Sequence, residues 1–153
     1  MSCYAFRVSQ TYAHQLCEEL EIGRLRQGWG YDENLNLRKD SAKKDRKAKR
    51  NFSIKDKVKK GDYLVVAYMP DKSHVSIAQA TKDFSSGYVY DEKSLECHDF
   101  GHIFPAKLIA VVPRKALSAN LRNSFRCRLR FFTLQKHENE IRSLANSFNT
   151  RIS

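Results

Sequence analysis

Residues 23–30 read GRLRQGWG and place two arginines, a glutamine and the chain's only tryptophan among three glycines. Arginine and tryptophan grip phosphates and flat rings, and glycine lets another molecule approach the backbone closely. A pocket for a nucleobase needs a ring to stack on, polar groups aimed at the base edge, and cations outside it for the phosphates. Trp29 supplies the ring, with Gly28 and Gly30 shaping its loop. Gln27 and Asp99 are candidate edge readers, and Tyr31, Phe84, Tyr88 and Tyr90 are further aromatics at expected strand ends. Arg24, Arg26 and Arg38 are candidate phosphate contacts, together with Lys43, Lys44, Arg46 and Lys47 of the run SAKKDRKAKR (41–50), which holds six positive residues and one negative. The alternatives are a Trp29 plugging one end of the core, aromatics that serve the core or a strand surface, and a charge run that is only a solvated helix face.

Catalytic and metal constellations are weak. His14, His74, His98, His102 and His137 sit in no nucleophile motif. Cys97 and His98 are adjacent, and neighbouring side chains on a strand point to opposite faces. Cys97, His98, Asp99 and His102 form one short cluster without a second ligand pair, which is not a metal signature. There is no P-loop and no dinucleotide fingerprint. The expectation is therefore a binding module, with no enzyme activity, no metal and no cofactor.

Composition supports that direction. The 153 residues suit one domain with a short helical extension. A hydrophobic share of 41% is enough for a core, and 28 basic residues against 17 acidic give a net charge of +11. Such a charge attracts polyanions, nucleic acid first and an anionic membrane surface second. The N-terminal MSCYAFRVSQ lacks the apolar run of a signal peptide, and Cys3, Cys17, Cys97 and Cys127 form no CxxC pair. Reduced thiols in the cytoplasm are the simple reading.

The elements that must position these residues follow from periodicity. CYAFRV (3–8) alternates as a strand. Ser9 can cap a helix over 10–21, where Ala13, Leu16, Cys17 and Leu20 share one face. GRLRQGW is a strand running into a glycine loop, 31–40 a loop, and 41–50 an exposed helical stretch almost without an apolar face. Strands are expected at 58–70, stopped by Pro70, at 74–81, and at 103–113, where Pro105 marks an edge or a bend. Phe84, Tyr88 and Tyr90 suggest further strand around a Ser-Ser-Gly turn. Ala116, Leu117, Asn120, Leu121 and Phe125 share a helical face, 126–134 fits either element, and 138–148 is a closing helix. Short, regular strand spacing favours a compact, mostly antiparallel barrel.

The order GRLRQGWG, LNLR, KKGDYLVVAYMP, VSIAQATKDF, DFGHIFPAKLI resembles the PUA-like superfamily, in the branch with EVE and YTH-like domains. It is most similar to the N-terminal recognition domains of prokaryotic modification-dependent restriction proteins. The resemblance covers about residues 3–134 and implies an α+β fold, a small curved β-barrel flanked by helices, with 1–134 as the recognition domain and 135–153 as a helical extension or linker. It implies a reader that flips a methylated base from DNA into an aromatic pocket containing Trp29, with any nuclease or NTPase elsewhere in the full-length protein or operon. No second tryptophan exists here, so a Tyr or Phe must complete the pocket. RNA-binding PUA, YTH or ASCH-type domains are the rival implication, and a small ASCH-like enzyme acting on nucleotides or RNA a more distant one.

Overall fold

The computed structural model describes residues 1–46, 48–91 and 99–149. Lys47, Cys97 and His98 therefore lie outside the described residues. The chain is α+β: a curled, mixed seven-stranded sheet forms a half-barrel flanked by helices. The strands are β1 (Cys3–Phe6), β2 (Arg24–Gln27), β3 (Tyr63–Ala67), β4 (His74–Ala80), β5 (Val89–Tyr90), β6 (His102–Pro113) and β7 (Phe131–Thr133). The helices are α1 (Ala13–Glu21), α2 (Asp40–Lys43), α3 (Ala48–Lys57), α4 (Phe84–Gly87), α5 (Ala119–Ser124) and α6 (Glu138–Ser147).

The sheet runs β2-β6-β4-β3-β1-β7, with β5 also on β6. Among the described strands only the β1–β3 pair is parallel, so the sheet is mixed as well as mostly antiparallel. All of β3 is buried because both faces of the sheet are covered. Leu64 and Val66 join Phe6, Leu16, Leu25, Phe84 and Phe104 in one apolar layer. Tyr63, Val65 and Ala67 join Ile77, Val112, Leu121 and Ile141 in the other. The closing helix α6 thus packs on the sheet through Ile141 and Ala145.

The long strand β6 creates the curl. Its residues 102–105 pair with β2 and its residues 106–113 with β4, and Pro105, which has no N–H to give, stands at the changeover. Farther on, Ile77 pairs with Ala110 while Ala78 pairs with Leu108, leaving Ile109 as the extra residue of a bulge. A bulge reverses the facing of a strand. Accordingly Phe104, Ala106 and Leu108 enter the first layer, and Ala110 and Val112 the second.

Several expectations change here. The helix expected over 10–21 begins as a 3-10 turn at Gln10–Tyr12, and the Ser9 side chain makes no capping bond. The Ser-Ser-Gly turn is one helical turn that takes in Phe84, because the Ser86 and Gly87 N–H groups close back on the Asp83 carbonyl, and the strand beyond it is only Val89–Tyr90. The 41–50 run is not exposed all round: Ala42 and Ala48 are fully buried, and α3 adds Asn51 and Ile54 to the same buried face. No helix among the described residues is long and apolar enough to cross a membrane.

Candidate nucleic-acid interface

Gln27 ends β2 opposite His102, and the chain then enters the Gly28-Trp29-Gly30 loop. Gly30 bonds across to the segment before β6: its N–H donates to the Asp99 carbonyl at 2.8 Å, and Gly101 N–H donates to the Gly30 carbonyl at 2.9 Å. A Cβ on Gly30 would lie 2.6 Å from the Gly101 nitrogen, so glycine permits this close backbone approach. Between these segments and the stretch Arg7–Gln10 that follows β1 lies a cleft of about 910 Å³. Its floor includes Gln27, Gly28, Asp99 and Phe100; Tyr12 and Tyr68 add rings. Its cations are Arg7, Lys72, Arg114, Arg128 and Arg130.

The floor is polar in a specific way. Gln27 is 3% exposed. Its Oε1 accepts the Gly28 N–H at 3.1 Å, which fixes the amide's orientation. Its Nε2 is buried and has no hydrogen-bond partner among the described residues. Asp99 Oδ1 accepts the Trp29 N–H at 3.0 Å. Asp99 Oδ2 lies on the Gly28 side, 3.5 Å from where a Gly28 Cβ would stand. The floor thus offers a donor and an acceptor beside a glycine that leaves room.

Trp29 is half-buried at φ +64, in the left-handed region. Its ring does not line the cleft. The Arg130 guanidinium lies 4.2 Å from the ring centroid and that of Arg50 5.7 Å, so the tryptophan reaches the cleft through Arg130. Burial and the neighbouring Arg50 lower the Arg130 pKa, with Asp99 opposing. Tyr68, the other non-glycine residue at positive φ among the described ones, carries Arg114 on its ring at 5.4 Å. Residues held in this region cluster at functional sites.

The remaining expected site residues go elsewhere. Phe84 is fully buried, stacked on Phe104 at 4.9 Å, with no ring face left for a base. Tyr88 is buried too; its hydroxyl lies 2.6 Å from His102 Nδ1 and accepts the Leu37 N–H. Burial raises that phenol well above the ordinary tyrosine range and lowers His102 to about 4. His102 Nε2 donates to the Trp29 carbonyl at 3.0 Å, so His102 of the DFGH segment orders the loop. Tyr31 is exposed and outside the cleft lining. Arg26 is 4% exposed, bonded to Glu19, Asp91 and the Phe100 carbonyl, and has no surface to give a phosphate. Arg24 pairs with the same Glu19. Arg38 donates to the Tyr88 carbonyl at 2.8 Å and lies over the Tyr88 ring. Lys43 sits by Asp40, and Lys44 and Arg46 border a shallow hollow beside Phe52, away from the cleft lining.

No family model matches the chain, and no curated protein does. The fold is similar to the NMR structure of Rpa0253 from Rhodopseudomonas palustris, at 12% identity and a TM-score of 0.45, over 100% of this chain and 99% of that one.

The cations that do line the cleft were not among those expected from the sequence. Arg130 and Arg128 stand beside Arg7 because β7 pairs with β1: Arg7 N–H donates to the Arg130 carbonyl, and Arg7 Nη1 to the Cys127 carbonyl. A signal existed in RCRLR (126–130), whose arginines alternate and so share one side of an extended chain. No group of three or more metal-ligating side chains occurs among the described residues.

Proposed function

We propose that this chain is a non-catalytic nucleic-acid reader of PUA-like type. It takes one base, flipped from a DNA duplex or carried on a single strand, into the cleft floored by Gln27, Gly28 and Asp99. The observation that carries this reading is the cation-lined cleft whose lining joins Gln27, with its buried and unpaired Nε2, to Gly28 and Asp99. Buried polar groups are normally paired, and an unpaired one in a cleft-lining residue calls for a partner, which a water or a ligand group in the cleft can supply. The cleft volume of about 910 Å³ suits a nucleotide-sized ligand. Every base presents an acceptor beside a donor on its pairing edge, matching Gln27 Nε2 and Asp99 Oδ2. Tyr12 and Tyr68 take the ring role expected of Trp29, and the arginines take the phosphates.

The form of this reading that the sequence resemblance favours is a methylated base in DNA. A methyl buried against rings gains about 0.8 kcal/mol, less than tenfold. Stronger discrimination comes from a polar group left unsatisfied by the wrong base, the part available to Gln27 and Asp99.

Gly28→Ala tests the cleft directly. The added methyl would lie 3.3 Å from Arg130 Nη1 and 3.5 Å from Asp99 Oδ2, the ends of side chains that can shift. The protein stays folded while the floor fills. Titration of labelled oligonucleotides, methylated and unmethylated, DNA and RNA, should show about tenfold weaker binding, 1.4 kcal/mol. Unchanged affinity in a folded variant refutes the reading. A parent preference for RNA keeps the cleft and replaces the DNA assignment.

A further inference from the structure

A second cleft, of about 840 Å³, adjoins the first. It is formed where the chain leaves β6 through a 3-10 turn at Arg114–Ala116 and enters α5. Its cations are Lys72, Arg114, Lys115, Arg122 and Arg126. Lys72 and Arg114 belong to both clefts, so they form a ridge between them. No carboxylate lines the second cleft, and none of these five cations forms an ion pair among the described residues. Unpaired like charges gathered in one concavity repel one another, and their arrangement is relieved by an anion.

The lining also says which part of a nucleic acid fits. It has no aromatic ring except the imidazole of His74, which is bonded to Asp71. Its apolar contributors are Pro113 and Ala119. Nothing there offers a stacking face for a base, and no large apolar side chain stands ready for a lipid interior. Guanidinium and ammonium groups without rings bind phosphate.

We propose that the second cleft holds the phosphodiester backbone of the nucleotides next to the one read in the first, so that the strand crosses the Lys72–Arg114 ridge. This rests on the base-reading function proposed above. It moves the phosphate track from the 41–50 run, where the sequence put it, to the α5 side of the molecule.

The test compares two triple variants of equal charge loss: Lys115→Ala/Arg122→Ala/Arg126→Ala in the cleft, and Lys43→Ala/Lys44→Ala/Arg46→Ala on the 41–50 run. All six side chains belong to residues at least partly exposed. Binding of a labelled single strand of about 12 nucleotides is titrated over a range of salt. Three lost contacts should lower the slope of log K against log salt by about 2 for the cleft triple and by far less for the other. Binding of a mononucleotide, which reaches only the first cleft, should be the same in parent and cleft triple. Equal slopes in both triples would mean that net charge alone acts, and would overturn the proposal. So would an unchanged cleft triple while Gly28→Ala still weakens binding; the base-reading function would then stand without this track. If neither Gly28→Ala nor the cleft triple changes binding, both fail. Loss of binding to anionic lipid vesicles in place of the oligonucleotide would assign the cleft to a membrane surface and overturn it too. Circular dichroism of both triples confirms that each comparison is between folded proteins.

Discussion

Replacing Gln27 by methionine separates recognition from architecture. Methionine matches the side chain in length and removes both the orphan Nε2 and the Oε1 that accepts Gly28 N–H. A buried donor without a partner costs roughly 1–3 kcal/mol, and a made hydrogen bond contributes about 1 kcal/mol. Losing Oε1 leaves the buried Gly28 N–H unpaired in its turn, so the two changes cancel and the free protein's stability should stay within about 1 kcal/mol, a few degrees in melting temperature for a chain of this size. Binding moves the other way. A base acceptor that no longer meets Nε2 is buried unsatisfied, at roughly 1–3 kcal/mol, about 5- to 150-fold in affinity. Thermal denaturation beside anisotropy titration reads both quantities, and an abasic oligonucleotide should bind parent and variant equally. A melting temperature that holds or rises while affinity for the base-bearing strand stays within about twofold would refute the recognition role. A fall of several kcal/mol in stability would refute the premise that Nε2 is an orphan.

Three further outcomes are expected. His102 sits near pKa 4 when folded against 6.5 unfolded, so below pH 6.5 the unfolded chain takes up a proton that the folded one refuses; stability should fall between pH 6.5 and about 4, by up to ~3 kcal/mol, and this fall should shrink in His102→Gln when denaturant midpoints are compared. Arg26→Met leaves the Glu19 carboxylate to Arg24 alone and should cost about 1.5–3 kcal/mol by urea denaturation, with no change in the salt slope of binding by the folded fraction. Trp29→Ala and Arg130→Ala should each weaken oligonucleotide binding by about 1–3 kcal/mol, and the double variant should weaken it little more than either, since the tryptophan acts through the arginine.

The sequence carried the sheet well wherever periodicity and stops coincide. The apolar run ahead of Pro70, the alternation over 74–81 and the helical faces at Leu16–Leu20 and Ile141–Ala145 all lie where expected. Barrel closure was not legible, because it depends on how far β6 curls at Pro105 and the Ile109 bulge. Of the site, Gln27, Gly28 and Asp99 came from two quoted motifs and stand together on the cleft floor. Phe84 and Tyr88 stand in the sequence as pocket candidates beside a core reading, and the fold gives them to the core; composition does not distinguish a ring at a strand end from one folded inward by a turn. Arg26 looked like a free cation because its partner Glu19 is met only after the chain reverses at Gly23. The cations that line the cleft come from the segments just after β1, before β4, after β6 and before β7, and only the tertiary fold makes them neighbours.

The polar chain behind the Trp29 loop explains how that fold delivers a cation to the cleft. The Trp29 carbonyl can only accept, so His102 Nε2 carries the proton. Nδ1 must then accept, so Tyr88 donates to it and uses a lone pair for the Leu37 N–H. The direction of every bond is fixed, and the neutral imidazole that this requires is the form burial enforces. Asp99 holds the Trp29 N–H from the other side. A tryptophan at φ +64 is strained by roughly 1–3 kcal/mol and persists only where its surroundings over-determine it. These contacts do that, and the ring they fix lies under Arg130. An arginine loses up to about 2 kcal/mol of rotamer freedom when it is held. Here much of that loss falls on folding, not on binding, so Arg130 meets its ligand already in place. The tryptophan that looked like the stacking surface is, by this arrangement, the mount for the cation that faces it.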